Sequence, residues 1–459
     1  MTRAPLVASA VACACLATGG LRAQASLDAQ LQRVLSLLRT GEFHQALQAA
    51  SDLDREYPAE AAVSAVRGDA LWSMGRFEDA ESAYEAALTI DAAQARAHHG
   101  RARSLAARNR LDAALTEVNE ALTLAPRDAE FHHTLSTIYE RLRRYDDAAG
   151  ALSNYVELLP NRDRSEKAAW ARAEVRFLKS FRGRRPSEIQ PPPPSGVWTM
   201  PITIAGDKVK VRGRVNGSAQ EFILDTGAEQ TIISLDVARR RGVMPVSVMQ
   251  SAGVGDAGMR GLQAARIDLL EIGPLKIKNV PCLIKNPPLR GLPTREPESF
   301  SPLAMGLSMR IDYPKRQLTL ARTLPPEVYA NQLPLRMHRL AFVHGTVNGS
   351  LPATFVVDTG GELISISDAT AGLIQPSTPF RRIPLRVYGT SGWDKDAFLM
   401  PGVDLAFNTI QFSRIPVVVL NLKAPSALLG LQLGGIVGHR FLSKYVVTID
   451  MERSVVGLN

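Results

Sequence analysis

The sequence predicts a multidomain α plus β protein, in which a solenoid of paired helices precedes an all-β domain of two similar lobes. A 34-residue period, a proline run and a duplicated Asp-Thr-Gly motif support this prediction. The chain has 459 residues, 45% hydrophobic and 22% charged, which suffices for two or three globular domains. The predicted boundaries are a signal peptide at 1–25, helical repeats at 26–181, a Pro-rich linker at 182–197, and lobes at 198–324 and 325–459.

The N-terminal 25 residues have the composition of an export signal. Arg3 precedes an uncharged run of small and apolar residues, and Ala23-Gln24-Ala25 has the small-x-small pattern that signal peptidase requires. We therefore expect cleavage after Ala25 and a periplasmic or extracellular location. The alternatives are an uncleaved anchor, although the apolar run is short for a bilayer span, and a lipoprotein modified at Cys13 or Cys15.

Charge and composition exclude several classes of function. The formal net charge is +9, but Lys and Arg are scattered without aromatic interleaving or a basic helix, so nucleic-acid binding is not expected. No segment after the signal is long and apolar enough to span a membrane. Cys282 is the only cysteine after cleavage, which excludes an intramolecular disulfide. No zinc-protease helix motif or Gly-x-Ser-x-Gly elbow occurs, and neither a metal nor an organic cofactor is expected.

Turn residues recur every 34 residues in the N-terminal part. They are Gly41, Gly75, Asn109 and Arg143. Small residues follow them at matched spacing, namely Ala46, Ala80, Ala114 and Ala148. This pattern resembles the tetratricopeptide repeat (TPR), in which a turn joins two closely packed helices. The resemblance implies four units, a capping helix within 165–181, and a right-handed solenoid whose groove binds a protein or peptide. The units are expected to begin at Leu27, Ala61, Ala95 and Ala129.

Two segments of the C-terminal part share one pattern, an apolar strand that ends in Asp-Thr-Gly, followed by a second apolar run. They are residues 222–234, with Asp225, and residues 355–367, with Asp358. An Asn-Gly pair, typical of a two-residue hairpin turn, precedes each motif. Each aspartate taken alone could simply cap a turn. Because the flanking strands are repeated too, we infer two duplicated lobes that share a carboxylate site.

These residues resemble a known family. Asp358-Thr-Gly with Ile436-Val437-Gly438 resembles the retropepsin and pepsin clan of aspartic proteases, and Asp225-Thr-Gly-Ala-Glu is close to the retroviral form. The resemblance covers about residues 198–459 and implies that Asp225 and Asp358 form a catalytic dyad between the lobes. Both halves lie in one chain, so dimerisation is not required. The residues implied to support the dyad are Thr226, Gly227, Thr359 and Gly360.

The chemistry of such a dyad follows from the two carboxylates. At about 3 Å apart they share one proton, so one can activate water while the other donates to the peptide carbonyl. Thr hydroxyls can lock the two loops together, and Gly allows close backbone approach. Pepsin-type sites have Ser or Thr after the glycine, where this chain has Ala228 and Gly361. With fewer donors to the carboxylates, we expect a mildly acidic rather than a strongly acidic optimum.

A glycine-containing hairpin follows each motif. The candidate flap residues are Gly253 and Gly255 in the first lobe, and Tyr388 and Trp393 in the second. Gly253 also begins a match to the dinucleotide-binding fingerprint, but no βαβ unit surrounds it. A plain surface hairpin is the alternative to a flap that closes over substrate.

The first lobe lacks the apolar-apolar-Gly segment of the second. An ungapped alignment sets Glu298-Ser299-Phe300 against Ile436-Val437-Gly438, whereas Ala304-Met305-Gly306 is the alternative counterpart. The sequence thus supports an exported aspartic endopeptidase that binds protein or peptide substrates and uses its TPR groove for a protein partner. The alternative is an inactive, protease-like scaffold protein that acts through that groove.

Overall fold

The structure is a computed structural model that describes residues 26–285, 298–374 and 381–459. The predicted export signal at 1–25 lies outside the described residues. Helices form the N-terminal part and strands dominate the remainder, which confirms the predicted fold class. Within the described ranges, no helix has the length and apolar character needed to cross a bilayer.

The N-terminal part consists of antiparallel helix pairs. Residues 26–40 form α1. The helices that follow are α2 (Phe43–Glu56), α3 (Ala61–Ser73), α4 (Phe77–Ile90), α5 (Ala95–Ala107), α6 (Leu111–Leu124), α7 (Ala129–Arg141), α8 (Tyr145–Leu158) and α9 (Glu166–Lys179). The turn residues within the pairs have φ between 57° and 81°, the left-handed conformation that ends a helix sharply. The matched alanines are fully buried, so the two helices of each pair approach closely.

Short strands build the two lobes. Those of the first lobe and its flanks are β1 (Glu188–Ile189), β2 (Trp198–Pro201), β3 (Thr203–Ala205), β4 (Lys208–Val215), β5 (Ser218–Leu224), β6 (Thr231–Ser234), β7 (Pro245–Ser251), β8 (Arg260–Ile272), β9 (Leu275–Lys285), β10 (Glu298–Phe300), β11 (Ser308–Asp312) and β12 (Gln317–Ala321). Those of the second lobe are β13 (Asn331–Pro334), β14 (Arg336–His338), β15 (Leu340–Val347), β16 (Leu351–Val357), β17 (Ile364–Ser367), β18 (Ile383–Pro384), β19 (Val387–Gly389), β20 (Gly392–Asp394), β21 (Phe398–Phe407), β22 (Ile410–Leu420), β23 (Gly435–Val437), β24 (Val447–Asp450) and β25 (Val455–Leu458). The helices between these strands are α10 (Leu235–Arg240), a 3-10 helix (Leu303–Met305), α11 (Asp368–Leu373), α12 (Lys423–Leu429) and α13 (His439–Leu442).

The two lobes share one topology. The sheet of the first lobe runs β1-β9-β6-β10-β5-β4-β8-β7, and that of the second runs β14-β15-β16-β23-β17-β22-β21-β18. In each lobe, a late strand inserts beside the strand that leads to the aspartate. In the first lobe, β10 is parallel to β5 and antiparallel to β6. In the second lobe, β23 is parallel to β16 and antiparallel to β17. The duplication inferred from the sequence is therefore present in the strand order.

A third sheet joins the lobes, with the order β13-β25-β24-β11-β12-β2. Its central pair is β11 from the first lobe and β24 from the second, with Ile311 opposite Val447. Both side chains are fully buried in a hydrophobic core that continues through the two lobes. Because shared strands and a shared core hold the lobes, the two Asp-Thr-Gly loops have a fixed relative position.

The segment at 182–197, predicted as a Pro-rich linker, contains a short strand. Its β1 pairs with β9, and hydrogen bonds on either side of β1 extend this pairing. Ser187 N–H donates to Asn279 O at 3.0 Å, and Gln190 N–H donates to Lys276 O at 3.0 Å. The chain between the solenoid and the first lobe is therefore anchored to the first lobe's sheet before the proline run begins.

The turns of the solenoid contact both lobes. Thr354 in β16 donates its hydroxyl to Gly75 O at 2.8 Å, and Phe77 in α4 packs near Phe342 in β15. In the first lobe, Arg143 Nη2 donates to Ala304 O at 2.6 Å. The helical repeats therefore bridge the two lobes from one side.

Replacement of Gly75 by Ala tests this contact. A Cβ at Gly75 would lie 2.3 Å from Thr354 Oγ1, and φ is +71°. We expect Gly75→Ala to lower the free energy of unfolding by about 2–4 kcal/mol, through backbone strain and the clash together. Gly41→Ala is the matched control, because φ there is +81° but no described atom lies within 4 Å of the added Cβ. It should cost only the strain, about 1 kcal/mol, in urea unfolding. Equal losses in the two variants would contradict the contact.

Candidate active site

The two Asp-Thr-Gly motifs occupy equivalent turns. Asp225 directly follows β5, and Asp358 directly follows β16. Each backbone N–H donates to the inserted strand, Asp225 to Phe300 O at 2.9 Å and Asp358 to Val437 O at 3.0 Å. Both aspartates are partly exposed, whereas the threonines that follow them are buried.

Crossed hydrogen bonds join the two turns. Thr226 N–H donates to Thr359 Oγ1 at 3.2 Å, and Thr359 N–H donates to Thr226 Oγ1 at 3.0 Å. Each hydroxyl then donates to the lobe opposite its own, Thr226 to Val357 O at 2.6 Å and Thr359 to Leu224 O at 2.7 Å. Both threonines are almost completely buried, so these bonds do not compete with bulk water. They hold the two turns at one separation.

The motif glycines leave room for the opposite carboxyl group. A Cβ at Gly227 would lie 2.4 Å from Asp358 Cγ, and one at Gly360 would lie 2.6 Å from Asp225 Oδ1. A side chain at either position would therefore collide with the aspartate of the other lobe. Each carboxyl group thus packs against the backbone of the opposite turn, and the two face one another across the interface.

Backbone donors surround the Asp358 carboxyl group. Gly360 N–H and Gly361 N–H donate to Asp358 Oδ1 at 2.8 Å and 2.9 Å. Burial raises the pKa of Asp358, while these donors and the N–H of Gly227 act in the opposite direction by stabilising the anion. Although Gly361 has no hydroxyl, its backbone therefore still contributes a hydrogen bond to this carboxylate.

Asp225 has a different environment. Gly227 N–H donates to Asp225 Oδ1 at 3.1 Å. Burial, followed by the negative charge of Asp358, raises the pKa of Asp225 to about 7, and a hydrogen bond from the Ser299 side chain acts against this rise. The two carboxyl groups titrate as an interacting pair. When the pair holds a single proton, we expect that proton on Asp225.

Lys208 adds a positive charge beside the pair. Its Nζ donates to Gly360 O, within the second Asp-Thr-Gly loop, and lies 3.7 Å from Glu362 Oε1. The charge of the ammonium group acts against the rise in the pKa of both aspartates that burial causes. In the second lobe, Arg339 makes the equivalent contact with the first, because its Nη2 lies 2.5 Å from Glu229 Oε2. Each lobe therefore contributes a cation that contacts the Asp-Thr-Gly loop region of the other lobe.

The inserted strand of the first lobe is β10, which decides between the two alignments. Glu298, Ser299 and Phe300 pair in parallel with Phe222, Ile223 and Leu224 of β5. The equivalent residues of the second lobe are Gly435, Ile436 and Val437. The ungapped alignment therefore chose the right segment but was wrong by one residue, because Ser301 and not Phe300 corresponds to Gly438.

The alternative counterpart, Ala304-Met305-Gly306, has another role. It forms the end of the 3-10 helix after β10 and closes with Gly306 at φ +69°. This turn stands where α13 follows β23 in the second lobe. The lost apolar-apolar-Gly pattern thus does not disrupt the inserted strand. Instead, it brings the Ser299 hydroxyl to Asp225.

The hairpins β7–β8 and β19–β20 meet tip to tip. Gly253 and Gly255 lie in the first tip, and Ser391 of the second tip is nearly buried between the strands. Ser391 Oγ accepts from Gly253 N–H at 3.0 Å and donates to Gly258 O at 3.3 Å. Ser391 N–H donates to Val254 O at 2.9 Å. A Cβ at Gly255 would lie 2.5 Å from the Ser391 carbonyl, so glycine is required there.

Tyr388 and Trp393 face each other across β19 and β20. Their ring centroids are 5.3 Å apart in an edge-to-face arrangement, and 39% of Trp393 remains exposed. They therefore stiffen the second hairpin.

Sequence reasoning did not find Lys208, Ser299 or Ser391. None lies in a motif, and each acts through a contact formed between segments far apart in the chain. Among the described residues, no group of three or more His, Cys, Asp or Glu side chains is placed to hold a metal ion.

Comparisons with protein families agree with this architecture. The family described as gag-polyprotein putative aspartyl protease matches residues 211–292, which include the Asp225 motif and the hairpin β7–β8. Two tetratricopeptide repeat families match residues 71–138 and 31–97. No curated protein gives a match.

Several solved structures resemble part of the chain. One is described as functional characterization of Pseudomonas aeruginosa pilF (21% identity, 33% of this chain, 68% of that chain, TM-score 0.28). Another is MamA (18% identity, 33% of this chain, 84% of that chain, TM-score 0.26). A third is YrrB, described as a TPR protein with an unusual peptide-binding site (22% identity, 30% of this chain, 68% of that chain, TM-score 0.26).

The family matches fall on the two parts of the chain that the fold separates, the helix pairs and the β lobes. The strand order extends the protease-like pattern to the second lobe. The chain therefore joins tetratricopeptide repeats to a retropepsin-like aspartyl protease domain.

Proposed function

We propose that this protein is an aspartic endopeptidase that hydrolyses peptide bonds in polypeptide substrates by means of Asp225 and Asp358. The observation that carries this proposal is the pair of crossed hydrogen bonds between Thr226 and Thr359, which hold two partly exposed aspartates close together. The export signal predicted at 1–25 adds the proposal of an extracytoplasmic location.

The environments of the two carboxyl groups suggest their roles. Backbone N–H groups favour the ionised form of Asp358, whereas Asp225, with a pKa of about 7, retains the shared proton. Asp358 then removes a proton from water, and Asp225 donates its proton to the oxygen of the scissile carbonyl. Water adds directly to the carbonyl carbon to give a tetrahedral diol. Asp358 then passes the proton that it took from water to the leaving nitrogen, and Asp225 takes back a proton from a diol hydroxyl. The C–N bond breaks to release an amine and a carboxylic acid, which returns the dyad to its starting state. No covalent enzyme intermediate forms.

Replacement of either aspartate by Asn tests the proposal. Asp225→Asn and Asp358→Asn should each lower kcat for an unfolded protein such as casein by about 10²–10⁴-fold, because general acid-base catalysis requires both groups. Asp268→Asn, at an exposed carboxylate of β8, is the control and should retain activity. Unchanged melting temperatures would show that folding is intact. Activity that survives in both dyad variants would contradict the mechanism, and an inactive parent would favour the scaffold alternative.

The pH profile provides a second test. Activity should fall as pH rises through about 7, because Asp225 then loses the proton that it must donate. Ser299→Ala removes a donor to the Asp225 anion, so it should raise the pKa of Asp225. The basic limb of the pH–activity profile, where activity falls as pH rises, should then move to higher pH.

Ser301→Ala is the matched control for this shift. Ser301 is also buried, but its hydroxyl donates to Ala228 O at 2.7 Å and not to a carboxyl group. Its basic limb should stay in place. A limb that moves equally in both variants, or an optimum below about pH 3, would contradict the assignment.

We also propose that the paired hairpins are flaps that must part for substrate to enter. Ser391→Ala removes two of the hydrogen bonds between the tips. Because each bond is worth about 1 kcal/mol, the two together contribute about 2 kcal/mol, and amide exchange at residues 253–258 should accelerate about thirtyfold. Ser413→Ala, at an exposed serine of β22, should leave it unchanged. Equal exchange in both variants and the parent would show that the tips are not joined in solution.

A further inference from the structure

Three apolar side chains project into solvent from β7 and the residue before it. Met244 is 72% exposed, Val246 is 42% exposed and Val248 is 41% exposed. Single exposed apolar residues are common on protein surfaces, but three within one short segment form a row that the fold leaves uncovered. Ser247, which lies within this row, faces the protein instead, because its hydroxyl donates to Ala173 O in α9 at 2.6 Å.

Unpaired cations lie directly before the apolar row. Helix α10 ends at Arg240, and Arg241 follows it, three residues before Met244. In the described ranges, neither Arg239 nor Arg241 forms an ion pair, whereas Arg240 pairs with Asp236. Two positive charges without an acidic partner are therefore held within a few residues of the row.

The end of α10 also borders a recess of about 640 Å³. The charged residues that line it are Lys210, Arg212, Glu221, Arg240, Arg241 and Glu298. Glu221 already pairs with Lys210 at 2.8 Å, and Glu298 Oε1 accepts from a serine hydroxyl at 2.9 Å. In the part of the chain that the structure describes, Arg212 forms no ion pair, and the buried Nε of Arg241 has no acceptor. An orphaned buried donor commonly marks a site for an ion or a water molecule, so this recess suits an anionic group.

Helix α9 places further cations on the other side of the row. Ala173 of this helix contacts β7, and Ser180 O at its end accepts from Arg266 Nη1 at 3.5 Å. Between these two contacts lie Arg176 and Lys179, which are exposed and form no ion pair with any described residue. Cations therefore flank the apolar row on both sides. We define the β7 surface as the row and its flanking cations, namely Met244, Val246, Val248, Arg176, Lys179, Arg239 and Arg241.

The edge of β7 is poorly suited to pairing with a strand of another molecule. Its first residue is Pro245, which has no N–H to donate, and the register shifts between Pro245 and Ser247. Such irregularities protect sheet edges from strand addition. A lipid surface requires neither a strand ladder nor a matching groove. It accepts projecting apolar side chains, and its anionic headgroups attract the cations beside them.

We propose that the first lobe docks on the surface of an anionic lipid bilayer through the β7 surface. Met244, Val246 and Val248 enter the boundary between the headgroups and the acyl chains. The flanking cations contact headgroup phosphates, and the recess beside Arg241 holds one of these phosphates. Docking of this kind places the base of the β7–β8 hairpin at the membrane. It requires no catalysis, so it does not depend on the proposed protease function.

Sedimentation with lipid vesicles tests this proposal. The full-length protein is mixed with vesicles of phosphatidylcholine alone, or with vesicles of equal parts phosphatidylcholine and phosphatidylglycerol. The affinity for the anionic vesicles should be at least about thirtyfold higher than for the neutral ones, because each cation near the charged surface adds to binding. This preference should weaken as the salt concentration rises.

Removal of two cations should reduce this preference. Arg239→Gln/Arg241→Gln should lower the affinity for anionic vesicles by about thirtyfold. Arg33→Gln/Arg39→Gln is the matched control, because it removes the same charge from exposed positions of α1 and should keep the affinity of the parent. Residues 1–25 are the same in every variant, so the predicted export signal cannot account for a difference.

Removal of the apolar side chains provides a second, independent test. Met244→Ser/Val246→Ser should lower the affinity by about tenfold, because less apolar surface then leaves water on docking. Ile90→Ser/Val328→Ser is the control, since these side chains are also exposed, at 45% and 92%, but lie outside the β7 surface. Melting temperatures check that every variant is folded.

Several outcomes would overturn the proposal. The parent could bind neutral and anionic vesicles equally, bind neither, or bind with the same affinity as both variants of the β7 surface. Glycerol phosphate, the soluble headgroup, should bind far more weakly than the vesicles, and equal affinity would assign the recess to a soluble anion instead. A parent dimer that dissociates in Met244→Ser/Val246→Ser, seen by sedimentation velocity, would assign the row to a second copy of the chain.

Discussion

The crossed hydrogen bonds between Thr226 and Thr359 are the constraint on which the candidate site depends. Each threonine contributes both its N–H and its hydroxyl, so four buried hydrogen bonds link two turns that lie 133 residues apart in the chain. At about 1 kcal/mol each, they are individually modest, but together they leave one arrangement of the turns. Glycine after each threonine lets the opposite carboxyl group approach, and the shared interlobe sheet fixes the lobes around this contact.

Duplication gives the site approximate symmetry, and small differences make its two halves unequal. Asp358 receives backbone N–H groups from Gly360 and Gly361, whereas Asp225 receives one from Gly227 and a hydrogen bond from Ser299. Such a pair needs unequal members, because one group must hold the proton while the other is ionised. The helical repeats add a second asymmetry. Their turns contact both lobes from one side, and α9 contacts the hairpin of the first lobe.

Much of this architecture could be predicted from the sequence, because local patterns determine it. The 34-residue period identified the turns at Gly75 and Asn109, since those positions require a left-handed backbone. The repeated flanks of Asp225 and Asp358 predicted two lobes with one topology. The insertion of β10 was assigned one residue out of register, because Glu298 and Ser299 replace the apolar residues that mark such a strand. Contacts between distant segments, such as Lys208 with Gly360 and Ser391 with Gly253, leave no local pattern and could not be predicted.

The most direct test of the shared proton is carbon-13 NMR titration of the aspartate carboxyl groups. We predict that Asp225 titrates at about pH 7 in the parent protein and at lower pH in Asp358→Asn, because the neighbouring negative charge is then removed. Titration of both Asp225 and Asp358 near pH 4, with no change in either when the other is replaced, would show that the two groups do not interact and do not share a proton.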